Sequence, residues 1–294
     1  MGPTLRRTTP LQPGTRTITA LLACLCTLQA LQPANANPII EDEAIADRIH
    51  ALTFESTILH QPKTFCAVLP DAYAPEKGPW PVLFLFHGRG RHERSLIDNE
   101  ATRNTLLAAP FVTILPDGDD GWYINAPAKP EDRYQDYIDE VITIATDRFN
   151  LATDPRRRGL SGWSMGGYGC TRYAIANPEK FTALAPIIGL LDFPRDGLPE
   201  GQTYEVPTDR FGENRDTWAA LNPLNQAEVL RGMRLCIITG TTAFDRTMNL
   251  NFSRRPTELG IPHTWHLLEG GHTFDLVRES LPIVVEFMGR ALGE

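Results

Sequence analysis

A serine between two glycines is the first feature of this sequence whose residue types and spacing could do chemistry. Ser164 lies in the run Gly162-Trp163-Ser164-Met165-Gly166, after an apolar stretch and before a helix-like pattern. Where a strand turns sharply into a helix on a serine, the residues two before and two after it must be small. The new helix then points its free N–H groups at the serine. We interpret Ser164 as the nucleophile of an acyl-transfer reaction; the alternative is a Gly/Ser-rich loop without chemistry.

A serine nucleophile needs a base, and the base needs an acid that orients it. His272 is the expected base, because it follows Glu269-Gly270-Gly271 after the last apolar run, where glycines let a short loop carry the imidazole back towards the serine. A histidine on a surface loop is the alternative interpretation. His87 precedes a glycine at a predicted strand end and is expected to be structural, with its ring bonded to the backbone.

The orienting acid is the open point of this arrangement. In the chain order serine, acid, histidine, it usually lies shortly after the glycine that closes the penultimate strand. That glycine is Gly240, and the third residue after it is Ala243, which carries no carboxylate. We favour Asp245, two residues further on, as the acid; Asp192, which follows the preceding strand, is the alternative.

Two backbone N–H groups are expected to form the oxyanion hole. One belongs to Met165, and the other to Arg89 in the run His87-Gly88-Arg89-Gly90, which follows the first long apolar run. Each such donor typically lowers the barrier by about 3–4 kcal/mol. The Arg89 side chain either faces the pocket, where it would hold a polar or anionic group, or is solvated.

The substrate pocket is expected to include Trp122, Tyr123 and Trp163. For Trp122 and Tyr123 a plain core role is the alternative. The segment 191–233 is rich in proline, glycine and charged residues, with one short helix predicted near 222–230. Such an insertion over the top of a sheet often forms a pocket wall; a surface loop without function is the alternative.

Unbroken apolar runs predict the strands that must position these residues. They lie at 81–86, 111–115, 183–188 and 235–239, with a polar-flanked run at 263–268. Runs of this kind suit strands covered on both faces, as in a parallel sheet. Helix-period stretches separate them, most clearly at 134–149, so right-handed β-α-β units are expected. Sites in such sheets form at the carboxyl ends of the strands, where the candidate residues fall.

The remaining segments and the bulk composition set the limits of the domain. Residues 64–69 alternate like a strand, and 37–60 are expected to be a polar, partly helical lead-in. With 294 residues, 42% of them hydrophobic, the chain can form one large core. The net charge of −8 gives no basic surface for nucleic acid. We therefore expect residues 37–294 to form a single α/β catalytic domain. The sequence does not predict its oligomeric state.

The N-terminus predicts a targeting segment. Three arginines precede an apolar stretch at 18–31, and Ala34-Asn35-Ala36 supplies small residues for cleavage after Ala36. The apolar stretch is shorter than a spanning helix, so no stable membrane span is expected. Residues 1–36 are therefore interpreted as a secretory signal peptide of a secreted or periplasmic protein. Lipidation at Cys24, in Leu21-Leu22-Ala23-Cys24, is ranked second, and a twin-arginine signal third.

Three cysteines follow the predicted cleavage site. An odd number allows at most one disulfide bond and leaves at least one free thiol among Cys66, Cys170 and Cys236. Cys170 lies in the predicted helix after Ser164, and Cys236 lies in a strand-like run. Both are expected to be small buried residues and not reactive thiols.

From about Thr64 to Phe287 the sequence resembles an esterase family of the α/β-hydrolases that includes esterase D-like enzymes, feruloyl and acetylxylan esterases and the antigen 85 mycolyltransferases. The resemblance rests on five motifs in order: Leu85-Phe86-His87-Gly88; Leu115-Pro116-Asp117-Gly118 followed by Gly121-Trp122-Tyr123; Arg133-Tyr134-x-x-Tyr137-Ile138; Gly162-Trp163-Ser164-Met165-Gly166-Gly167-Tyr168-Gly169; and Gly270-Gly271-His272. The segment that reads Gly-Thr-Glu-Asp or similar in the family reads Gly240-Thr241-Thr242-Ala243 here.

The resemblance implies an α/β-hydrolase fold with a mostly parallel central sheet and helices on both faces. It also implies a serine carboxylic-ester hydrolase without metal or cofactor, with Ser164 as nucleophile, His272 as base and the Arg89 and Met165 amides as oxyanion donors. The expected substrates are small or medium acyl esters, including acetyl or feruloyl groups linked to carbohydrate. Acyl transfer to a sugar and, because of Ala243, a non-catalytic relative that binds a ligand are the alternatives.

Overall fold

A mostly parallel sheet runs through the part of the chain that the computed structural model describes, residues 1–2, 37–197 and 205–293. Its strands are β1 (Ile39–Ala46), β2 (Ile49–Ser56), β3 (Gln61–Val68), β4 (Val82–Phe86), β5 (Val112–Pro116), β6 (Arg158–Trp163), β7 (Ala183–Ile187), β8 (Arg234–Gly240) and β9 (His263–Leu268). The helices are α1 (Glu100–Leu107), α2 (Tyr134–Phe149), α3 (Met165–Ala176), α4 (Thr208–Phe211), α5 (Arg215–Leu221), α6 (Arg246–Glu258) and α7 (Phe274–Leu292). Short 3₁₀ turns connect several of them, the longest at Pro223–Leu230.

The strand order is β1-β2-β3-β5-β4-β6-β7-β8-β9. From β5 to β9 all neighbours are parallel, whereas β1, β2, β3 and β5 pair in antiparallel fashion. The carboxyl ends of the parallel strands therefore meet at one edge, as strand-helix alternation requires. The predicted mostly parallel sheet is confirmed, and each of the five predicted apolar runs overlaps one of its parallel strands.

Both faces of the sheet are covered, as strand β4 shows. All five residues of β4 are apolar and buried. Phe84 and Phe86 face the core that packs against α2, α3 and α6, while Leu83 and Leu85 face the core that packs against α1 and α7. This two-sided burial explains why the β4 sequence runs without polar interruption.

Helix α2 spans the predicted residues, and its buried side chains repeat at the predicted helical spacing. It ends at Asn150, which adopts the left-handed conformation with φ of 47° and donates its N–H to the Thr146 carbonyl. Asparagine tolerates this conformation better than most residues, so it closes the helix without glycine.

The expectation of a partly helical lead-in at 37–60 is wrong, because this segment forms the antiparallel strands β1 and β2. Strand β2 buries Leu52 and Phe54 in the core on one face of the sheet, and Ile49 in the core on the other face. Because β1 is an edge strand with almost no buried side chain, its sequence lacks the apolar alternation that identifies a strand.

The described residues from Asn37 onward belong to one compact unit. The predicted signal peptide and Cys24 lie outside the described residues, since only residues 1–2 of that segment are described. No helix of the described chain is both long and apolar enough to cross a membrane. Cys66, Cys170 and Cys236 are all buried free thiols. Burial raises the pKa of each thiol, that of Cys66 to about 12, so little reactive thiolate forms near neutral pH.

Candidate active site

Ser164 lies in the tight turn between strand β6 and helix α3. Its backbone has φ of 56° and ψ of −120°, a conformation that costs free energy and persists only where surrounding packing enforces it. Gly162 and Gly166 face each other across the turn, and a Cβ on Gly166 would collide with the carbonyl oxygen of Phe86. The small residues on both sides of Ser164 are therefore a packing requirement of the bend, as the motif predicts.

A continuous chain of hydrogen bonds links Ser164, His272 and Asp245. The Nε2 atom of His272 lies 2.8 Å from Ser164 Oγ, and its Nδ1 atom lies 2.6 Å from Asp245 Oδ1. With a neutral imidazole, Nδ1–H donates to the carboxylate and Nε2 accepts from the serine hydroxyl. The orientation is that of a general base aimed at a nucleophile.

Asp245 reaches the imidazole because it begins helix α6 directly after the turn that follows strand β8. Its side chain is fully buried. While Oδ1 contacts His272, Oδ2 accepts hydrogen bonds from Thr239 Oγ1 at 2.8 Å and from Asn249 Nδ2 at 2.7 Å. These donors satisfy the second oxygen and fix the carboxylate plane.

Asp192, the alternative acid, is placed elsewhere. Its Oδ1 accepts from Asn222, and its Oδ2 accepts from Asn251 and pairs with Arg195 at 3.0 Å. The carboxylate therefore ties the segment after strand β7 to helix α6, and it makes no bond to His272. Both lone-pair sets of Asp192 are used in this tie.

Two backbone N–H groups stand beside the serine hydroxyl. Met165 is the first residue of α3, and Arg89 follows Gly88 after strand β4. Among the described residues, neither N–H has an assigned acceptor. A Cβ added to Gly88 would lie 3.3 Å from Ser164 Cβ and 2.7 Å from Trp163 Nε1, so glycine permits this close approach of loop to nucleophile.

His87 fixes the direction of the Arg89 N–H through the backbone. Its Nε2 accepts from the Gly118 N–H at 2.8 Å, so Nδ1 carries the proton and donates to the Gly88 carbonyl at 2.9 Å. The Gly88 carbonyl and the Arg89 N–H belong to one planar peptide unit and point in opposite directions. Holding the carbonyl oxygen therefore aims the N–H. His87 is structural, as expected, but it acts on the candidate oxyanion donor.

An ion cluster supports the loop on the far side of His87. The buried Lys63 Nζ lies 2.7 Å from Asp117 Oδ2 and 2.8 Å from Asp119 Oδ2. Burial acts to raise the pKa of Asp117, but the ion pair with Lys63 and the hydrogen bond from the Asp119 N–H outweigh it and hold that pKa well below its usual range. Asp117 is therefore an anion that Lys63 compensates at neutral pH.

The expectation that Trp122 and Tyr123 line the substrate pocket is wrong. Trp122 is 1% exposed and Tyr123 is fully buried. The Trp122 ring packs among aromatic side chains of other segments, at 5.2 Å from both Phe193 and Phe211. Tyr123 stacks on a strand β4 ring, and its hydroxyl accepts from the His87 N–H at 3.0 Å. Both residues therefore support the site from the core.

A pocket of about 150 Å³ opens beside Ser164. Of the predicted lining residues Trp163 contributes to it, as do Arg89 and His272. The full lining is Gly88, Arg89, Arg91, Trp163, Ser164, Ile188, His272, Thr273, Phe274 and Val277. No described residue of the segment 191–233 takes part, so its described part is not a wall of this pocket.

A larger groove, of about 480 Å³, lies away from these residues. Its lining consists of Leu224, Asn225, Asn251, Arg254, Arg255 and Glu258. It contains neither Ser164 nor His272, and its lining presents no nucleophile with a base beside it. The smaller pocket is therefore the place where acyl chemistry can occur.

Several residues at the site escaped prediction. The Phe244 ring lies tilted against the His272 ring with centroids 4.3 Å apart, and Asn249 donates a hydrogen bond to Asp245. Asn249 lies one helical turn after Asp245, a spacing that could have indicated the pair. Arg91 lies in the loop after strand β4 and Phe274 is the first residue of α7, and nothing in the sequence placed either of them in the pocket.

The family model described as "Putative esterase" matches residues 56–282. Among curated proteins, Esterase Rv1288 of Mycobacterium tuberculosis (strain H37Rv) is 26% identical over 253 residues, which are 74% of this chain and 54% of that protein. The chain thus spans about half the length of this relative.

Solved structures of esterases share the fold. A ferulic acid esterase has a TM-score of 0.71 at 19% identity, covering 83% of this chain and 98% of that one. An S-formylglutathione hydrolase from Agrobacterium tumefaciens has a TM-score of 0.72 at 17% identity, covering 87% and 99%. At such identities the likeness concerns the fold, which is that of the α/β-hydrolases as predicted. The family match covers most of the chain, and the chain therefore belongs to the esterase family of that description.

Proposed function

We propose that this protein is a serine esterase that hydrolyses carboxylic esters through a covalent acyl-enzyme at Ser164. The observation that carries the proposal is the hydrogen-bonded chain from Ser164 Oγ through His272 to the buried Asp245, at the rim of a pocket. Such a chain activates a hydroxyl that is otherwise a weak nucleophile. An acid two residues after Ala243 contacts the base, which supports catalysis over the alternative of a non-catalytic relative.

In the first half-reaction Ser164 Oγ attacks the ester carbonyl carbon while its proton moves to His272 Nε2. The Asp245 carboxylate stabilises the imidazolium that forms and holds the ring in the tautomer that accepts the proton. The carbonyl oxygen becomes an oxyanion and accepts hydrogen bonds from the Arg89 and Met165 amides. When the tetrahedral intermediate collapses, the alcohol leaves with the proton from Nε2.

The second half-reaction uses water in place of the alcohol. His272 Nε2 takes a proton from the water, whose oxygen attacks the acyl carbon. The same two amides hold the second oxyanion, and collapse returns the proton to Ser164 Oγ as the acid leaves. Because the amides are held by the start of α3 and by the His87 bond, no reorganisation is needed as charge develops.

The size of the pocket favours short acyl groups. At about 150 Å³ it is smaller than the roughly 300–1,000 Å³ of clefts that enclose drug-sized ligands. Short and medium acyl esters are therefore proposed as substrates, and the alcohol would extend into solvent. The likeness to a ferulic acid esterase supports feruloyl esters as one class of candidate substrate.

The test is hydrolysis of p-nitrophenyl acetate by the wild type, Ser164→Ala and a matched control, Ser253→Ala. Ser253 lies on α6 and bonds His263, outside the pocket. We expect Ser164→Ala to lower kcat/KM by about 10⁴-fold or more, and Ser253→Ala to keep it within about twofold. A fluorophosphonate probe should label the wild type at Ser164. Equal rates in the wild type and Ser164→Ala would reject the proposal.

Export is proposed from the N-terminal pattern alone. Cleavage after Ala36 would release a chain that begins at Asn37 in the periplasm or outside the cell. Mass spectrometry of the protein recovered from each cell fraction tests this proposal. If the protein were found only in the cytoplasmic fraction, with its N-terminus intact, the proposal would be contradicted.

A further inference from the structure

The pocket beside Ser164 is lined by two cations and no acid. Its ten lining residues include Arg89 and Arg91, but no aspartate or glutamate. This contrasts with the whole chain, which is acidic at a net charge of −8. A positive pocket on a negative molecule favours anions locally, because a low-dielectric wall focuses the field of the nearest charges.

Arg91 is held at the pocket in a defined position. Its backbone N–H donates to the Gly88 carbonyl at 3.1 Å, and its guanidinium lies 5.3 Å from the centre of the Phe274 ring. Among the described residues, no carboxylate forms an ion pair with Arg91. Its positive charge therefore lies at the pocket without a carboxylate partner among the described residues.

Asp245 contacts the lining residue His272 at 2.6 Å, and the other acids beside the lining residues also leave Arg91 unpaired. Asp120 accepts from the Gly90 N–H at 2.7 Å and lies 3.8 Å from Arg89 Nε, so it compensates part of the Arg89 charge. Asp275 pairs with Arg278 at 3.0 Å on α7. The Glu93 side chain is only 14% exposed, and burial raises its pKa. Arg91 is left as the cation available to a ligand, with Arg89 beside it.

We propose that, on the basis of the esterase function proposed above, the Ser164 pocket selects esters that carry a carboxylate or phosphate group close to the scissile bond, bound by Arg91 with help from Arg89. The planar guanidinium presents paired N–H donors that match the two oxygens of such a group. The anion lies on either the acyl or the alcohol part of the ester.

The experiment compares anionic esters with neutral twins. For the alcohol side these are para-acetoxybenzoate and its methyl ester; for the acyl side they are p-nitrophenyl hydrogen adipate and its methyl ester. Rates are corrected for uncatalysed hydrolysis. We expect the wild type to prefer one anionic member by about tenfold or more in kcat/KM, and the pair that shows it identifies the side. Added salt at about 0.5 M should reduce that preference.

The variants are Arg91→Gln, Arg91→Lys and the control Arg156→Gln. Arg156 precedes strand β6, at the end opposite Ser164, and its side chain is 82% exposed. We expect Arg91→Gln to lower the anionic-to-neutral ratio by about tenfold, Arg91→Lys to keep part of it, and Arg156→Gln to leave it unchanged. A ratio near one in the wild type, or a ratio unchanged by Arg91→Gln, would overturn the proposal.

A binding measurement separates this inference from the proposed function. Calorimetry with Ser164→Ala should show tighter binding of the preferred anionic ester than of its twin, and Arg91→Gln added to Ser164→Ala should remove the difference. If the wild type hydrolyses neutral esters but this difference is missing, the anion site is rejected and the esterase stands. If no ester is hydrolysed but the difference is present, the esterase is rejected and the anion site stands.

Discussion

Two histidines lie at the same edge of the sheet and differ in what their ring nitrogens contact. His87 is 2% exposed, and both nitrogens bond backbone groups, the Gly88 carbonyl and the Gly118 N–H. His272 is 18% exposed, and its nitrogens bond two side chains, Ser164 and Asp245. The first ring is locked in one tautomer by groups that cannot titrate. The second lies between a hydroxyl that can lose its proton and a carboxylate that stabilises the resulting charge.

The comparison shows that position at a strand end does not by itself make a histidine a base. What matters is whether one ring nitrogen faces a group that can give up a proton and an approaching substrate. In the proposed reaction His87 acts from behind the site, since its hydrogen bond aims the Arg89 N–H. On this proposal His272 transfers the proton and His87 places the donor, so the two histidines should respond differently to substitution.

The largest expected effect is on the His272 side of this comparison. We expect His272→Ala to lower kcat for p-nitrophenyl acetate by about 10⁴-fold or more, because Ser164 loses its base. The unfolding temperature should change little, since the imidazole is partly exposed and its loss leaves the core intact. Steady-state kinetics and thermal unfolding measure both. Activity near that of the wild type would remove His272 from the mechanism.

The two acids give the next effect as a matched pair. Asp245→Asn keeps the shape but favours the wrong imidazole tautomer, so kcat should fall by about 10⁴-fold. Asp192→Asn should keep kcat within about threefold, because its carboxylate bonds Asn222, Asn251 and Arg195 and not His272. It should instead lower the unfolding temperature. If the two variants exchanged these effects, the assignment of the orienting acid would be wrong.

Much of this arrangement could be predicted because it depends on local sequence. The unbroken apolar runs predict the parallel strands. The glycines around Ser164 predict a sharp bend, because the packing at that bend leaves no room for side chains at their positions. Asp245 was harder to place, since its contact with His272 depends on how tightly the chain turns into α6, and sequence periodicity says nothing of a turn. Ala243 at the expected position of the acid therefore suggested that His272 lacks a carboxylate partner, whereas the turn into α6 brings Asp245 to it.

Contacts between distant segments could not be predicted. Trp122 packs against Phe193 and Phe211, residues that nothing in the sequence links to it. A Trp-Tyr pair after a strand end fits a pocket or a core equally well until those partners are known. Strand β1 was missed for a related reason, because an edge strand buries too little to show an apolar alternation.

The His87 side of the comparison predicts a smaller loss of activity. His87→Ala removes one of the two hydrogen bonds to the Gly88 carbonyl and leaves only that of the Arg91 N–H, so the Arg89 N–H is held less firmly and kcat should fall by about 10- to 100-fold. KM should change less, because the pocket keeps its lining. Kinetics are measured at a temperature where circular dichroism shows the variant to be folded. A folded variant with the wild-type kcat would leave His87 a structural role only.

The ion cluster behind His87 is the feature whose loss should affect catalysis least, and its main effect is expected on stability. Lys63→Met removes the cation that compensates Asp117 and Asp119, so the free energy of unfolding should fall by about 2 kcal/mol at pH 7, less than for a fully buried pair because Asp117 is 23% exposed. The depressed pKa of Asp117 means that the native pairing stabilises the fold above the unfolded pKa of about 3.9. That stability is lost as the pH falls below this value. Urea unfolding at several pH values should therefore show a difference between Lys63→Met and the wild type that is full at neutral pH and shrinks below about pH 4. A difference that stays constant into acid would mean that Lys63 contributes by packing and not by its charge.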